Sequence, residues 1–430
     1  MKQINESTPM MNYQFCEMSG EKADTLILET ELEIPVEAEA LKRGLKAAMQ
    51  NFPHFSSKPF IKGDKLYTVV DDQLLLPVFS ERNEGRCFGT DETFGYLFYI
   101  SYQQNKFRLH AFSGLCDAEG AYIFLNTLLY NYFNEGSNET APAGYSVIDP
   151  YQRALDTLGG EVPSPDSFWD GISGWLGVEH PFTLISEPKA EYENGFRVYS
   201  LDVPADSLAR IAEEAESSLC ILLDVLVADT LRKVCEVNEQ MVSANTLFSL
   251  RREFDINCCA NASYSLCLPY DPQMDRLSLP RKAAVMERTL RIMTTRENLR
   301  NVLSSRVKQC RKLFSEDDSI KKRCVAIAGN RRDELKSTST FQMSYLKQSV
   351  FTGISSYPIK AIRAITVPCA IPLCVNAIED EKGVHISWSS SVDDDRLFQH
   401  FFTQMSELIP KTTQTDLGRF IGDSLLPERL

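Results

Sequence analysis

Histidine is scarce in this chain: His54, His110, His180, His385 and His400 are the only five in 430 residues. That limits both imidazole catalysis and histidine-rich metal sites. Phosphate cradles are missing too. No GxxxxGK[ST] loop occurs and no GxGxxG follows a strand, so nucleotide phosphates have no evident seat. HExxH and GxSxG are absent, which removes common signatures of zinc peptidases and α/β-hydrolases. Basic charge is in deficit, with 45 Lys and Arg against 59 Asp and Glu and a net charge of -14. A nucleic-acid surface needs a basic stripe, so nucleic acid is excluded as a partner, and adhesion to an anionic membrane is disfavoured. The longest apolar stretch, Ala364 to Ile378, is broken by Pro368 and Pro372 and reads as buried strands, with no membrane span. The start, MKQINESTPMMNYQF, lacks the apolar core of a secretory leader. The 12 cysteines make no CxxC pair, and adjacent Cys258 and Cys259 would point to opposite faces of a strand. Reduced, buried thiols, no metal site and a cytoplasmic location are expected.

What remains is a globular composition, 43% hydrophobic and 24% charged, over a length that suggests about two or three domains. Asn12 to Met18 is a candidate short strand. Thr25 to Ile34 alternates and predicts a strand. Pro35 opens a helix with Ala38, Leu41, Leu45, Ala48 and Met49 on its apolar face, and Pro53 closes it. Phe60 to Val70, turning at Gly63-Asp64, predicts a hairpin, and so do Gly95 to Tyr102 and Lys106 to Phe112. Residues 134–190 read as a linker and surface excursion, docked through Phe168, Trp169 and Trp175. Further on, strands are expected at Gly195 to Val203, Thr246 to Arg252, Thr340 to Ser344, Ala364 to Cys369, Leu373 to Ala377 and Gly383 to Ser390. Helices are expected from Pro204, over Asp224 to Cys235, in one long run from Pro280 to Phe314, and over Arg396 to Leu408. Both halves mix α and β, which suggests two similar αβ layers side by side.

The stretch LHAFSGLCDAEGAYIFLNTLLYNYF, Leu109 to Phe133, organises the chain. A strand ends near Phe112, small residues cross from Ser113 to Gly120, and a helix follows with Ile123, Phe124, Leu128, Leu129 and Tyr132 at helical spacing. Asp117 stands just before that helix, where a carboxylate caps free N–H groups or reaches a cation.

Three stretches, FSGLCDAEGAYIFLNTLLYNYF at 112–133, SLRREFDINCCANASYSLCLPYD at 249–271, and TFQMSYL at 340–346 with GVHISWSSSVDDDRLFQHFF at 383–402, resemble one family in their order and spacing. It is the alcohol-acetyltransferase-like branch of the CoA-dependent acyltransferase superfamily, whose fold chloramphenicol acetyltransferase and condensation domains share. The resemblance implies an α/β fold of two similar αβ sandwich subdomains, mixed sheets with flanking helices, and a tunnel between the halves. It divides the chain into 1–185 and 186–430. It implies transfer of an acyl group from an acyl-CoA or carrier-protein thioester to an alcohol or amine, with no bound cofactor and acyl-CoA as co-substrate.

The family's loop reads HxxxDG, and its histidine is the general base. Laid over this chain, Asp117 and Gly120 match the family's aspartate and second glycine, Ser113 takes the place of the histidine, and Ala118 follows the aspartate. A serine hydroxyl lacks the basicity of imidazole, and losing a general base removes about 10²–10⁴ in rate. His110, three residues upstream, is a candidate substitute, although 110 and 113 point to opposite faces of a continuous strand. Cys116 is a conceivable nucleophile with no cationic neighbour in sequence. His54 reads as structural, and His385 as facing away from Val384 and Ile386. In the family the aspartate pairs with an arginine, which implies a buried Asp117–Arg251 pair; a capping aspartate and a surface arginine is the alternative. Ser344 falls on the tunnel-bordering strand and is a candidate oxyanion donor or substrate contact. The family's DFGWG segment is absent. Two functions follow: an acyltransferase, or a catalytically inactive relative that keeps the fold for binding or protein contact.

Overall fold

The computed structural model describes residues 3–6, 9–63, 65–70, 75–81, 85–134, 149–162, 180–184, 195–314, 319–347 and 356–430. Gln3–Glu6 is β1, and Pro9–Met18 is α1. Thr25–Leu32 (β2) is followed by Ala38–Asn51 (α2), the hairpin Ser57–Lys62 (β3) and Lys65–Val70 (β4), then Val78–Ser80 (β5). Phe98–Gln103 (β6) and Lys106–Phe112 (β7) form the second hairpin and deliver Ala118–Phe133 (α3). Pro150–Leu158 (α4) lies within the expected linker, whose Phe168, Trp169 and Trp175 fall outside the described residues.

Gly195–Val203 (β8), Ala205–Glu214 (α5), Leu219–Val234 (α6), Val242–Ser249 (β9), Leu250–Phe254 (α7) and Ser263–Tyr270 (β10) come next. They are followed by Leu279–Met293 (α8), Arg296–Phe314 (α9), Ile320–Thr338 (α10) and Phe341–Lys347 (β11). Ile359–Thr366 (β12), Leu373–Glu379 (β13), Val384–Ser390 (β14), Asp395–Leu408 (α11) and Thr413–Ile421 (β15) complete the chain.

The strands build two main sheets, ordered β12-β2-β7-β6-β5 and β10-β9-β11-β13-β14-β8-β15, beside a small sheet β1-β4-β3. The expected α/β architecture of mixed sheets with flanking helices is therefore present. α2 and α3 cover one face of the five-stranded sheet. Gly44 of α2 sits so close to α3 that a Cβ there would lie 2.6 Å from the Leu128 carbonyl. α6 is buried along nearly its whole length under the seven-stranded sheet, where the alternating Phe341, Met343, Val375, Ile386 and Trp388 meet it in one apolar cluster.

Several local expectations needed correcting. Asn12 to Met18 is helix. Glu17 of α1 is ion-paired with Arg306 and, at 3.0 Å, with Arg331, and Cys16 is joined by a disulfide to Cys324 of α10. These partners lie some three hundred residues away, so no local pattern announces them. The disulfide also corrects the reading of every cysteine as a free thiol. The expected single helix from Pro280 to Phe314 breaks at Thr294-Thr295. The Thr294 N–H still reaches the Leu290 carbonyl at 2.8 Å, joined there by Thr294 Oγ1 at 2.9 Å, and Asn298 Nδ2 of the next helix takes the Ile292 carbonyl at 2.7 Å. The expected strand Thr246 to Arg252 stops at Ser249, whose hydroxyl accepts from the Arg251 N–H at 3.2 Å and starts α7. Cys258 and Cys259 lie in a loop, not a strand. β10, α10 and β15 go beyond the sequence reading.

The two main sheets meet across charged side chains. Arg363 of β12, 2% exposed, reaches Glu31 of β2 at 2.9 Å, Asp202 of β8 at 3.3 Å and the Ser200 hydroxyl at 2.8 Å. His385 of β14 faces away from Val384 and Ile386, as expected, and lies between two carboxylates. Its Nδ1 is 2.7 Å from Asp202 Oδ1, and its Nε2 faces Asp380 Oδ2 at 3.3 Å, an ion contact without hydrogen-bond alignment. Burial works to lower the His385 pKa, but Asp202 and Asp380 outweigh it and raise the value from 6.5 to about 9. The raised value means that protonated His385 stabilises the fold fully below about pH 6.5, and that this contribution is lost as pH rises through 9. It is worth on the order of 3 kcal/mol. Urea unfolding of wild type should therefore show a loss of stability between pH 6.5 and 10 that His385→Asn lacks; parallel pH profiles for the two would refute the coupling.

Candidate functional site

α3 begins where β7 runs out, and the turn is held by Asp117. Its Oδ1 accepts from the Gly120 N–H at 2.8 Å and caps the helix. Its Oδ2 accepts from Arg251 Nη1 at 2.7 Å and from the Ala262 N–H at 2.8 Å. Arg251 is itself fully engaged. Its Nε donates to the Cys258 carbonyl at 2.8 Å and its Nη2 to the Ala260 carbonyl at 2.6 Å. Asp117 and Arg251 are thus a buried pair, with side chains 8% and 5% exposed. Burial opposes the Arg251 charge, and Asp117 more than restores it, so its pKa is raised. Gly120 lies against the 258–262 loop, and a methyl there would overlap the Cys259 carbonyl oxygen.

Ser113 is at the loop's entrance. Its N–H donates to the Asp24 carbonyl at 2.8 Å and its carbonyl accepts from Asn261 Nδ2 at 2.7 Å, while its hydroxyl makes no hydrogen bond among the described residues. No imidazole meets it. His110 is turned to Ser101 and Asp423, and His385 to its own carboxylates. His54 packs near the Cys259 backbone, and burial lowers its pKa to about 4, so it is neutral. Cys116 is fully buried; burial first and Asp117 second push its thiol pKa far up, which leaves no thiolate for a nucleophile.

Ser344 is on β11. Phe341 and Met343 of that strand enter the apolar core, so Gln342 and Ser344 face the other way, level with Asn245 of β9 and Asn376 of β13. Asn376 is level in turn with Ser387 of β14. This face carries small polar side chains with unspent capacity. Asn245 Oδ1, Asn376 Nδ2, Ser387 Oγ and Ser389 Oγ are buried and have no hydrogen-bond partner among the described residues. Asn376 Oδ1 accepts from Thr366 Oγ1 of β12 at 3.0 Å, which places the seam between the two sheets. The structure therefore brings Asp117, Arg251 and Gly120 together and leaves Ser113 without a base. The sequence reading missed the seam residues. Its signal was present in VHISWSS, where Ser387 and Ser389 alternate with Ile386 and Trp388. Among the described residues, no cluster of His, Cys, Asp and Glu could hold a metal ion, and no helix is long and apolar enough to cross a membrane.

Removing one member of the Asp117–Arg251 pair leaves the other buried and uncompensated, a cost of about 3–5 kcal/mol. Asp117→Ala and Arg251→Ala should each lower the urea midpoint accordingly, and the double variant by less than their sum. Strict additivity would refute the coupling.

No protein-family model and no curated protein matches the sequence. Solved structures do match. Polyketide synthase associated protein 5 from Mycobacterium tuberculosis superposes with a TM-score of 0.61 at 12% identity, covering 93% of this chain and 96% of that one. The epimerization domain from the third module of tyrocidine synthetase B gives 0.59 at 10% identity, covering 95% and 97%. F. graminearum TRI101, complexed with ethyl coenzyme A, gives 0.60 at 9% identity, covering 96% and 100%. At such identities the likeness is one of fold. The chain has the two-sheet fold of the CoA-dependent acyltransferases and condensation domains.

Proposed function

We propose that this protein binds an acyl thioester, from CoA or a carrier protein, in the polar seam between its two sheets, and that its α3 loop performs no general-base transfer. The observation that carries this reading is the Ser113 hydroxyl, which makes no hydrogen bond among the described residues while His110 and His385 are committed to carboxylates elsewhere. Without an imidazole there, nothing takes the proton from an attacking alcohol or amine. The seam supports binding, because Asn245, Asn376, Ser387 and Ser389 offer unspent donors and acceptors to a polar ligand. The TRI101 structure holds ethyl coenzyme A on the same fold. On this reading the two main sheets act as the walls of a ligand site, and the protein is a cytoplasmic pseudoenzyme of alcohol-acetyltransferase-like descent.

The second reading is active acyl transfer to an alcohol or amine, with Ser344 as oxyanion donor. It is favoured by the intact loop frame of Asp117, Arg251 and Gly120. The experiment measures CoA and acetyl-CoA binding by thermal shift, and acetyl transfer to a panel of short alcohols and amines, for wild type and Ser113→His. The expected result is binding by both, transfer at the solution background for wild type, and a gain of about 10²–10⁴ for Ser113→His. Wild-type turnover that Ser113→Ala abolishes would establish the transferase reading instead, and absence of CoA binding would overturn the thioester reading.

A further inference from the structure

His110 belongs to neither the α3 loop nor the seam. It stands on β7, level with Tyr99 of β6 and one diagonal step from Ser101. All three are on the face opposite Ile100 and Leu109, which pack with α2 and α3. His110 Nε2 is 3.1 Å from Ser101 Oγ, and His110 Nδ1 is 3.2 Å from Asp423 Oδ2. Asp423 is fully buried in the segment after β15, and its Oδ1 accepts from the Tyr99 hydroxyl at 2.7 Å and the Arg86 N–H at 2.9 Å. Burial first and Asp423 second push the Tyr99 pKa well up, so Tyr99 stays a donor. Carboxylate oxygens accept. The proton between Asp423 and His110 is therefore on Nδ1, which leaves the Nε2 lone pair for the Ser101 hydroxyl proton. The Tyr99 ring stacks on the imidazole, with centroids 4.2 Å apart and planes at 12°, and fixes its rotation. These are the relations of a nucleophile, a base and a positioning carboxylate.

A cleft of about 40 Å³ opens against this line, bounded by Ser80, Glu81, Arg86, Arg108 and Arg419 beside Ser101 and His110. That space holds roughly two or three waters, or the carbonyl end of a small ester. Arg108 is neutralised by Glu29 at 2.8 Å and by Glu81. Arg86 is not. Its guanidinium donates to the Glu92 carbonyl at 3.0 Å and lies 3.8 Å over the Phe79 ring, with no carboxylate side chain among its described partners. Its charge suits a ligand carrying an anion.

We propose that Ser101, His110 and Asp423 form a second, hydrolytic site for small carboxylic esters bearing a negative charge. Ser101 Oγ bonds to the ester carbonyl carbon as His110 Nε2 takes the hydroxyl proton and the carbonyl electron pair moves onto oxygen. As that pair returns, the C–O bond to the alcohol breaks, and His110 gives the departing oxygen its proton. Water then loses a proton to Nε2 and bonds to the acyl carbon, and Ser101 leaves with that proton, releasing the acid. Asp423 stays hydrogen-bonded to Nδ1–H and holds the tautomer.

The test treats the full chain, without CoA, with a fluorophosphonate probe and maps the adduct by peptide mass. It also measures hydrolysis of mono-4-nitrophenyl succinate beside 4-nitrophenyl acetate. The expected adduct is on Ser101. Ser101→Ala should abolish adduct and turnover with its melting temperature unchanged. His110→Gln should slow both by about 10²–10⁴. Arg86→Gln should raise KM for the succinate ester more than for the acetate. No adduct on Ser101 in folded wild type, or labelling at an equal rate in His110→Gln, would overturn the proposal. Because the readout uses no CoA, it stands or falls apart from thioester binding.

Discussion

A buried guanidinium sets the geometry of this protein's central junction. Arg251 carries a charge that water does not reach, so the fold must surround it with acceptors. Asp117, at the start of α3, and the carbonyls of Cys258 and Ala260, in the 258–262 loop, do so. One side chain thereby fixes the start of α3, the course of the 258–262 loop and the point where β9 yields to α7. Gly120 follows from the same demand, since only a residue without a side chain lets the loop come close enough.

The joint between the sheets obeys the same rule. Buried Arg363 and His385 are compensated by Glu31, Asp202 and Asp380 across β2, β8, β12 and β14. Such a joint is specific in register, because a strand shifted by one residue would turn these groups to the wrong face. It differs from the neighbouring seam, where Asn376 Nδ2, Ser387 Oγ and Ser389 Oγ have no partner among the described residues. One stretch of the interface is electrostatically complete, and the other has capacity to spare for something polar.

His385 and His110 have separate environments. His385 is held as a cation in the joint. His110, on a strand that leads directly to Ser113, faces the other way into a line with Ser101 and Asp423. Strand alternation explains why a residue three positions from Ser113 does not serve it.

Much of the fold was legible in the sequence because its signals are local. Alternation in Gly195 to Val203, the hairpin turn at Gly63 and the helical spacing after Asp117 depend on neighbours a few residues apart, and these elements appear in the structure. The sequence also raised, by resemblance, the expectation that Ser113 occupies the place of a family's general base. What the tertiary structure alone decided depends on distant partners: α1 as a helix bound to Arg331 and Cys324, and Asp423 brought beside His110 from 313 residues away. No window of sequence contains both members of those pairs. The compensation of a buried charge or polar group is settled only when the folded chain closes around it.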